Sequence, residues 1–194
     1  MKAESIVFAV AGMCFGVILG WVLGTQQASA RSAPVAAEAP VAEGQAGNPP
    51  PPVLDEARVQ QYQSILSSDP RNAGALVQLG NTYFDAQRYP DAIKYYEQAL
   101  TIEPGNADAS TDLGVSYYYS NRPDDALKQF EVSLKLDPKH SKTLLNKGIV
   151  MAFGKQDLDG AAAAWTQVVE LSPSSPEAEA ARRGLEGIKN SRAK

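Results

Sequence analysis

Apolar and polar residues follow three successive patterns along this chain of 194 residues. The run Ser5–Gly24 contains no charged residue, whereas residues 25–52 are rich in Ala, Pro, Gly and Gln and hold little bulky apolar content. From residue 53 onward, apolar residues return at spacings that give helices an apolar face. The pattern predicts an N-terminal apolar helix, a disordered linker and an all-helical domain.

The N-terminal apolar run is long enough to cross a membrane, because its twenty residues span roughly 30 Å as a helix. Lys2 precedes the run, and Arg31 is the only basic residue between it and Arg58, so the positive-inside rule puts the N-terminus in the cytoplasm. We therefore expect residues 1–24 to form a single-pass anchor and the remainder to be extracytoplasmic. The segment "ASA" also fits a signal-peptide cleavage site, so cleavage after Ala30 stays open.

Glycine stands at every fourth position of the apolar run, at Gly12, Gly16, Gly20 and Gly24. These residues share one helix face, where another helix backbone can approach closely. The stripe predicts homo-oligomerisation or docking on another membrane helix, although glycine is also simply frequent in membrane spans. The following linker, residues 25–52, ends in a proline-rich stretch that favours an extended spacer.

The helical domain contains an internal repeat. "LGNTY" at Leu79–Tyr83 and "LGVSY" at Leu113–Tyr117 are 34 residues apart, and Gly148 follows Gly114 by the same step. A third unit carries one extra residue in its middle, so its alanine, aromatic and proline arrive one position late. The further positions that keep the period are Ala92 and Ala126, Tyr96 and Phe130, and Pro104 and Pro138, followed one position late by Ala161, Trp165 and Pro173.

This pattern over residues 73–173 resembles the tetratricopeptide repeat. The resemblance implies an α-solenoid in which stacked helix pairs bury faces that no pair can cover alone. The glycines that we expect where the two helices of a pair cross closely are Gly80, Gly114 and Gly148. The expected N-caps are Asn72, Asn106 and Ser175. Lys147 replaces a first-helix leucine, so we expect a buried stem and an amine that reaches solvent. The predicted segments are a degenerate half-repeat at 53–72, repeats at 73–106, 107–140 and 141–174, and a capping helix at 175–194.

In the family that the sequence resembles, the first helices line a concave groove that accepts an extended peptide or a partner's helix. The aromatic positions are the strongest candidates, because aromatic side chains dominate binding hot spots. Leu145 and Ile149 have an alternative role in the core. The predicted groove residues are Val77, Asn81, Phe84, Asp85, Thr111, Val115, Tyr118, Tyr119, Lys142, Leu145, Ile149 and Phe153.

Some members of the family hold a C-terminal carboxylate with a clamp of Lys, Asn and Arg residues. Asn81 and Lys142 match that clamp here, but Val77, Asp112 and Asn146 do not. Asp112 would repel a carboxylate, so we do not expect this chain to use the clamp.

Composition and motifs argue against an enzyme, a cofactor or a metal site. Cys14 and His140 are the only residues of their types, and no P-loop, GxGxxG, CxxCH or HExxH motif occurs. His140 falls in an inter-repeat turn, where we expect it to be solvated. The net charge of −4 gives no basic surface for nucleic acid.

The sequence therefore predicts a non-enzymatic scaffold anchored in the bacterial inner membrane, with its repeats in the periplasm. A partner protein would bind in the groove, and the role would be assembly of envelope proteins, of the secretion or cytochrome c maturation type. The alternative is a structural assembly subunit that oligomerises through the glycine-striped transmembrane helix.

Overall fold

The computed structural model describes residues 52–193, and within this range all regular structure is helical, with no strand. The predicted anchor with Gly12, Gly16, Gly20 and Gly24, and all but the last residue of the predicted linker, lie outside the described residues. None of the helices in residues 52–193 is long and apolar enough to span a membrane. The helices are α1 Glu56–Ser68, α2 Ala73–Asp85, α3 Tyr89–Ile102, α4 Ala107–Tyr119, α5 Pro123–Leu136, α6 Ser141–Ile149, α7 Leu158–Leu171 and α8 Pro176–Arg192, and α6 continues into a π-helix at Val150–Gly154.

Each helix packs against the next one in the chain, so that α2/α3, α4/α5 and α6/α7 form three pairs, with α1 and α8 at the two ends. Three clusters of buried side chains run across the junctions between these units. One cluster joins Val59 of α1 to Leu113 of α4, and another joins Phe130 of α5 to Val150 of the π-helix. The third joins Trp165 of α7 to Ile188 of α8. The apolar faces are thus covered by neighbouring units, as a solenoid requires.

Asparagine side chains cap the N-termini of α2 and α4, which are the first helices of the pairs α2/α3 and α4/α5. The Asn72 side chain accepts a hydrogen bond from the Ala75 N–H, and the Asn106 side chain accepts one from the Ala109 N–H, both at 2.9 Å. Ser175 caps α8 in the same way. These bonds satisfy backbone donors that the first turn of a helix leaves without a partner. The predicted caps at Asn72, Asn106 and Ser175 are confirmed.

The repeated glycines lie where an aromatic ring from the second helix of the same pair covers the first helix. A Cβ atom added to Gly80 would lie 2.6 Å from the Tyr96 ring, and one added to Gly114 would lie 2.5 Å from the Phe130 ring. Gly148 meets the Trp165 ring in the same way. The close helix crossing predicted at these glycines is confirmed, and the aromatic ring fills the space that a side chain at the glycine would otherwise occupy.

The extra residue of the third unit is accommodated in the π-helix. In the first two units, the backbone N–H after the left-handed turn residue bonds five positions back, as Arg88 does to Tyr83. In the third unit, Asp157 follows left-handed Gln156 and bonds six positions back, to Met151. A single inserted residue widens one helical turn into a π-turn, while the helices before and after it keep their packing.

Lys147 occupies the first-helix position where the repeat pattern has leucine. Its side chain is 21% exposed, and its ammonium group forms an ion pair with Glu131 of α5. The predicted arrangement, with a buried stem and an amine directed outward, is confirmed.

Candidate partner-binding groove

The first helices α2, α4 and α6 carry the predicted groove residues, and we call the side of the domain on which these residues lie the groove face. A cavity of about 250 Å³ opens between these helices and α3. Four of the predicted residues, namely Asn81, Phe84, Asp85 and Lys142, line this cavity together with Tyr96 and Asp112. Residues that are up to 61 positions apart in sequence thus meet at one site.

Lys142 is the only cationic residue among those that line the cavity, and acidic side chains surround it. Its Nζ lies 2.7 Å from Asp112 Oδ1 and 3.9 Å from Asp108 Oδ1. Burial raises the pKa of the Asp112 carboxyl above its ordinary value, although the ion pair with Lys142 opposes this shift. The ammonium group of Lys142 is therefore already engaged by carboxylates of this chain.

Asp85 is the second carboxylate of the cavity. It is exposed, and none of the residues 52–193 forms an ion pair with it. Burial by its surroundings raises the pKa of its carboxyl, and the Arg58 guanidinium partly offsets this rise. Arg58 itself pairs with Asp55, at 3.3 Å between Nε and Oδ2. Asp85 can therefore take a further cationic partner.

Asn81 is oriented by a bond to the wall of the cavity. The Tyr96 hydroxyl donates to Asn81 Oδ1 at 2.7 Å, and Tyr96 is only 1% exposed. Burial raises the pKa of Tyr96 well above its ordinary value, so the phenol stays protonated and remains a donor. The carboxamide oxygen of Asn81 is thus occupied, and its NH2 group donates no hydrogen bond to any of the described residues.

An aromatic cluster adjoins the cavity and crosses the junction between the first two pairs. Phe84 packs edge-on against Tyr89 and Tyr119, with ring centroids 5.3 and 5.7 Å apart, and Tyr89 stacks on Tyr119 at 5.1 Å. Tyr118 lies against Tyr119 at 5.4 Å. Three of the four predicted aromatic residues of the groove therefore form one contiguous cluster, with Tyr89 as an additional member.

The remaining predicted residues differ in their exposure. Phe153 lies in the π-helix and is 38% exposed, which makes it an accessible apolar side chain. Leu145 and Ile149 are half-buried and pack against the core of the third unit, which supports the core role left open for them. Val77 and Val115 are also half-buried against core clusters.

Thr111 was predicted to line the groove, but it has no exposed surface. Its hydroxyl lies 2.6 Å from that of Thr143 and 2.9 Å from that of Ser133, and all three side chains are fully buried. We call these three residues the hydroxyl cluster. Ser133 stands where the repeat pattern has alanine, and its hydroxyl contacts both threonines. Thr111 therefore belongs to the core and is removed from the groove set.

The expectation that His140 is solvated is wrong. Its side chain is 17% exposed, its Nδ1 lies 2.6 Å from the Thr143 hydroxyl, and its Nε2 lies 3.4 Å from Asp108 Oδ1. The histidine closes the hydroxyl cluster at the junction of the second and third units. Thr143 has no exposed surface, so this contact of Asp, His and Thr is structural rather than nucleophilic.

Tyr89 and Tyr96 are absent from the predicted groove residues, all of which come from the first helices of their pairs or from the π-helix that continues α6. Both tyrosines come from α3, and their rings reach the groove face through the space beside Gly80 and Phe84. The spacing of Tyr96 from Gly80 recurs between Gly114 and Phe130, and this repetition was a usable signal for the proximity of Tyr96 to the glycine. Tyr89 gave no such signal, because the equivalent position of the next unit holds Pro123.

Comparisons with known proteins agree with this architecture. Two models described as tetratricopeptide repeat match residues 71–139 and 111–176. The helical domain is a tetratricopeptide repeat array. No curated protein sequence matches the chain.

Solved tetratricopeptide repeat structures superpose on the array. The Sgt2 TPR domain from Aspergillus fumigatus is 29% identical, with a TM-score of 0.57, and the match covers 62% of this chain and 79% of that domain. The first TPR of Spaghetti (RPAP3), in a structure bound to the HSP90 peptide SRMEEVD, is 25% identical, with a TM-score of 0.57 and coverage of 65% and 97%. The Yersinia enterocolitica type III secretion translocator chaperone SycD shares the fold, with 19% identity, a TM-score of 0.58 and coverage of 62% and 93%. The array is thus of a fold that serves as a protein-interaction scaffold.

Proposed function

We propose that this protein is a membrane-tethered scaffold that binds an extended segment or a helix of a partner protein on the groove face of its repeats. The observation that carries the proposal is the cavity formed by three first helices beside the aromatic cluster of Phe84, Tyr89, Tyr118 and Tyr119. Rigid aromatic rings beside polar groups are typical of binding hot spots. The HSP90 peptide held by the related RPAP3 repeat domain supports peptide binding as the mode.

The cellular setting is part of the same proposal and rests on the N-terminal sequence. The uncharged run Ser5–Gly24 and the scarcity of basic residues after it support a single inner-membrane span with the repeats in the periplasm. A scaffold held at that surface by residues 25–52 would meet envelope proteins during secretion or cytochrome c maturation. No cofactor or catalytic group is part of this function.

A pair of triple variants tests the groove. The full-length protein is affinity-purified from membranes as wild type, as Tyr118→Ala/Tyr119→Ala/Phe153→Ala, and as a control. The control, Val132→Ala/Leu136→Ala/Leu171→Ala, removes side chains that are 44, 43 and 40% exposed on second helices. We expect specific partners to be lost from the groove variant and retained by the control. Circular dichroism verifies that both variants stay helical.

Retention of every partner by a folded groove variant would contradict the proposal. Loss of partners from the second-helix control alone would place the binding surface on the opposite side of the array.

The alternative function is a structural assembly subunit that oligomerises through its transmembrane helix, and the glycine stripe favours it. Gly16→Leu/Gly20→Leu blocks close helix approach without touching the repeats. Chemical crosslinking in membranes then separates the two functions: a scaffold keeps its partner when the stripe is broken, whereas an assembly subunit loses its self-crosslinks and its complex together.

A further inference from the structure

The cavity of the groove face has the polar framework of a peptide site, but its charges are not suited to a carboxylate. Lys142, the one cation among its lining residues, already holds Asp112 at 2.7 Å and lies 3.9 Å from Asp108. A peptide carboxylate would have to displace Asp112 from the lysine while facing Asp85 nearby. Like charges brought together in a partly desolvated site are strongly unfavourable.

We propose that this cavity binds a basic side chain, a lysine or arginine, from an extended segment of the partner. This inference rests on the proposed function, because it names the chemistry of the segment that occupies the groove. This preference would differ from that of the RPAP3 repeat domain, whose peptide SRMEEVD carries three acidic residues and one arginine.

Charge complementarity supports this occupant. Asp85 has no ion pair within residues 52–193, and the Asp112 carboxylate contacts Lys142 through its Oδ1. A carboxylate can accept several hydrogen bonds, so Asp112 can hold Lys142 and a second cation at once. An incoming ammonium or guanidinium group would sit between Asp85 and Asp112 and relieve the imbalance of charge there.

The walls and the size of the cavity support the same occupant. Phe84 lines one side, and an aromatic face attracts a cation as well as an aliphatic stem. The Tyr96 hydroxyl holds the carboxamide oxygen of Asn81, so the amide NH2 of Asn81 can donate a hydrogen bond to a backbone carbonyl of the segment. A volume of about 250 Å³ is below the ~300–1,000 Å³ of pockets that enclose drug-sized ligands, so it suits one side chain.

The test begins with a random nine-residue peptide library displayed on phage and selected on the full-length protein in detergent. We expect enriched peptides to contain lysine or arginine well above the input frequency. The best peptide is then synthesised in three forms, with its basic residue kept, replaced by norleucine or replaced by glutamate. Anisotropy should show about tenfold weaker binding of the norleucine form, the scale of one partly buried charge contact, and less still for glutamate.

Variants of the protein assign the effect to the cavity. Asp85→Asn should weaken the basic peptide about tenfold, and Asp112→Asn, which frees Lys142, should improve binding of the glutamate form. Glu170→Gln removes an exposed carboxylate of α7 and serves as the matched control, with no change expected.

The outcomes separate the inference from the function beneath it. Enrichment of acidic or uncharged peptides that the Tyr118→Ala/Tyr119→Ala/Phe153→Ala variant no longer binds would overturn the basic-side-chain inference and leave the groove intact. An equal loss in Glu170→Gln would also overturn it, since the effect would then follow net charge. If wild type enriches no peptide over the groove variant, the proposed function fails and the inference fails with it.

Discussion

At the scale of single residues, glycine sets how closely the two helices of each pair approach. A Cβ on Gly114 would lie 2.5 Å from the Phe130 ring, whereas one on Gly187 of α8 would meet no atom within 4 Å. Substitution by alanine should therefore change the free energy of unfolding in opposite directions at the two positions. The helix propensity of alanine favours folding at both glycines, whereas the clash with a ring occurs only at Gly114.

We predict that Gly114→Ala lowers the free energy of unfolding by about 1–3 kcal/mol through overpacking. Gly187→Ala should raise it by up to about 1 kcal/mol, since alanine is the better helix former. Urea unfolding followed by circular dichroism measures both values. Stabilisation by Gly114→Ala would mean that the ring does not cover this glycine.

Two aspartates should respond to pH in opposite directions. Burial raises the pKa of Asp112 in the folded state, so its contribution favours folding at low pH and is lost as pH rises through that pKa. A hydrogen bond from Arg122 lowers the pKa of Asp125, so its contribution is present at neutral pH and is lost as pH falls. The two carboxyls thus differ in the sign of their linkage to folding.

We therefore predict that Asp112→Asn gains stability relative to wild type as pH is raised from 4 to 7. Asp125→Asn should lose stability relative to wild type as pH is raised from 3 to 5, because the pKa of Asp125 lies below its ordinary value. Urea unfolding at the two ends of each range measures the two differences. Trends of equal sign would contradict the assignment of Asp112 as the buried member of its ion pair with Lys142.

At the scale of elements, the hydroxyl cluster joins the second and third units through α4, α5 and α6. Thr143→Val keeps the shape of the side chain but places a methyl group against the polar groups of Thr111, Ser133 and His140. We therefore predict that this variant lowers the free energy of unfolding by about 1–3 kcal/mol. Thr82→Val is the matched control, because the buried Thr82 hydroxyl bonds only to the Gln78 carbonyl of its own helix. The free energy of unfolding of Thr82→Val should fall by less than about 1 kcal/mol. Thermal or urea unfolding measures both variants against wild type.

The elements also mark how far sequence alone leads. The 34-residue period and the caps predicted the helix pairs, because each depends on local spacing and on small residues at fixed positions. The sequence did not predict the π-helix that accommodates the extra residue of the third unit, because an inserted residue can either widen a helical turn or lengthen a loop. The burial of Thr111 did not follow either, because its hydroxyl contacts Ser133 and Thr143, which lie 22 and 32 positions away in the sequence.

The site was predictable to a similar extent. Asn81, Phe84, Asp85 and Lys142 do meet at one cavity, because their repeat positions fix which helix face they occupy. The ion pair between Lys142 and Asp112 depends on side-chain geometry across two units, and sequence could indicate only that Asp112 disfavours a carboxylate. Tyr96 joins the cavity through a hydrogen bond that no periodicity encodes.

At the scale of the whole molecule, partner binding in the groove makes one face of the array a binding surface and leaves the other face solvated. Phe153 and Val132 are matched probes of this difference, because both are exposed apolar side chains, at 38 and 44%. Phe153 lies in the π-helix that continues the first helix α6, and Val132 lies on the second helix α5. A photo-reactive residue at either position replaces a side chain that already reaches the surface.

The most direct measurement is photo-crosslinking in living cells with p-benzoylphenylalanine at Phe153 or at Val132 of the full-length protein. Scaffold function on the groove face predicts a discrete partner adduct from position 153 that disappears in the Phe84→Ala background, and none from position 132. A discrete adduct from position 132, with position 153 silent in a folded protein, would contradict the account.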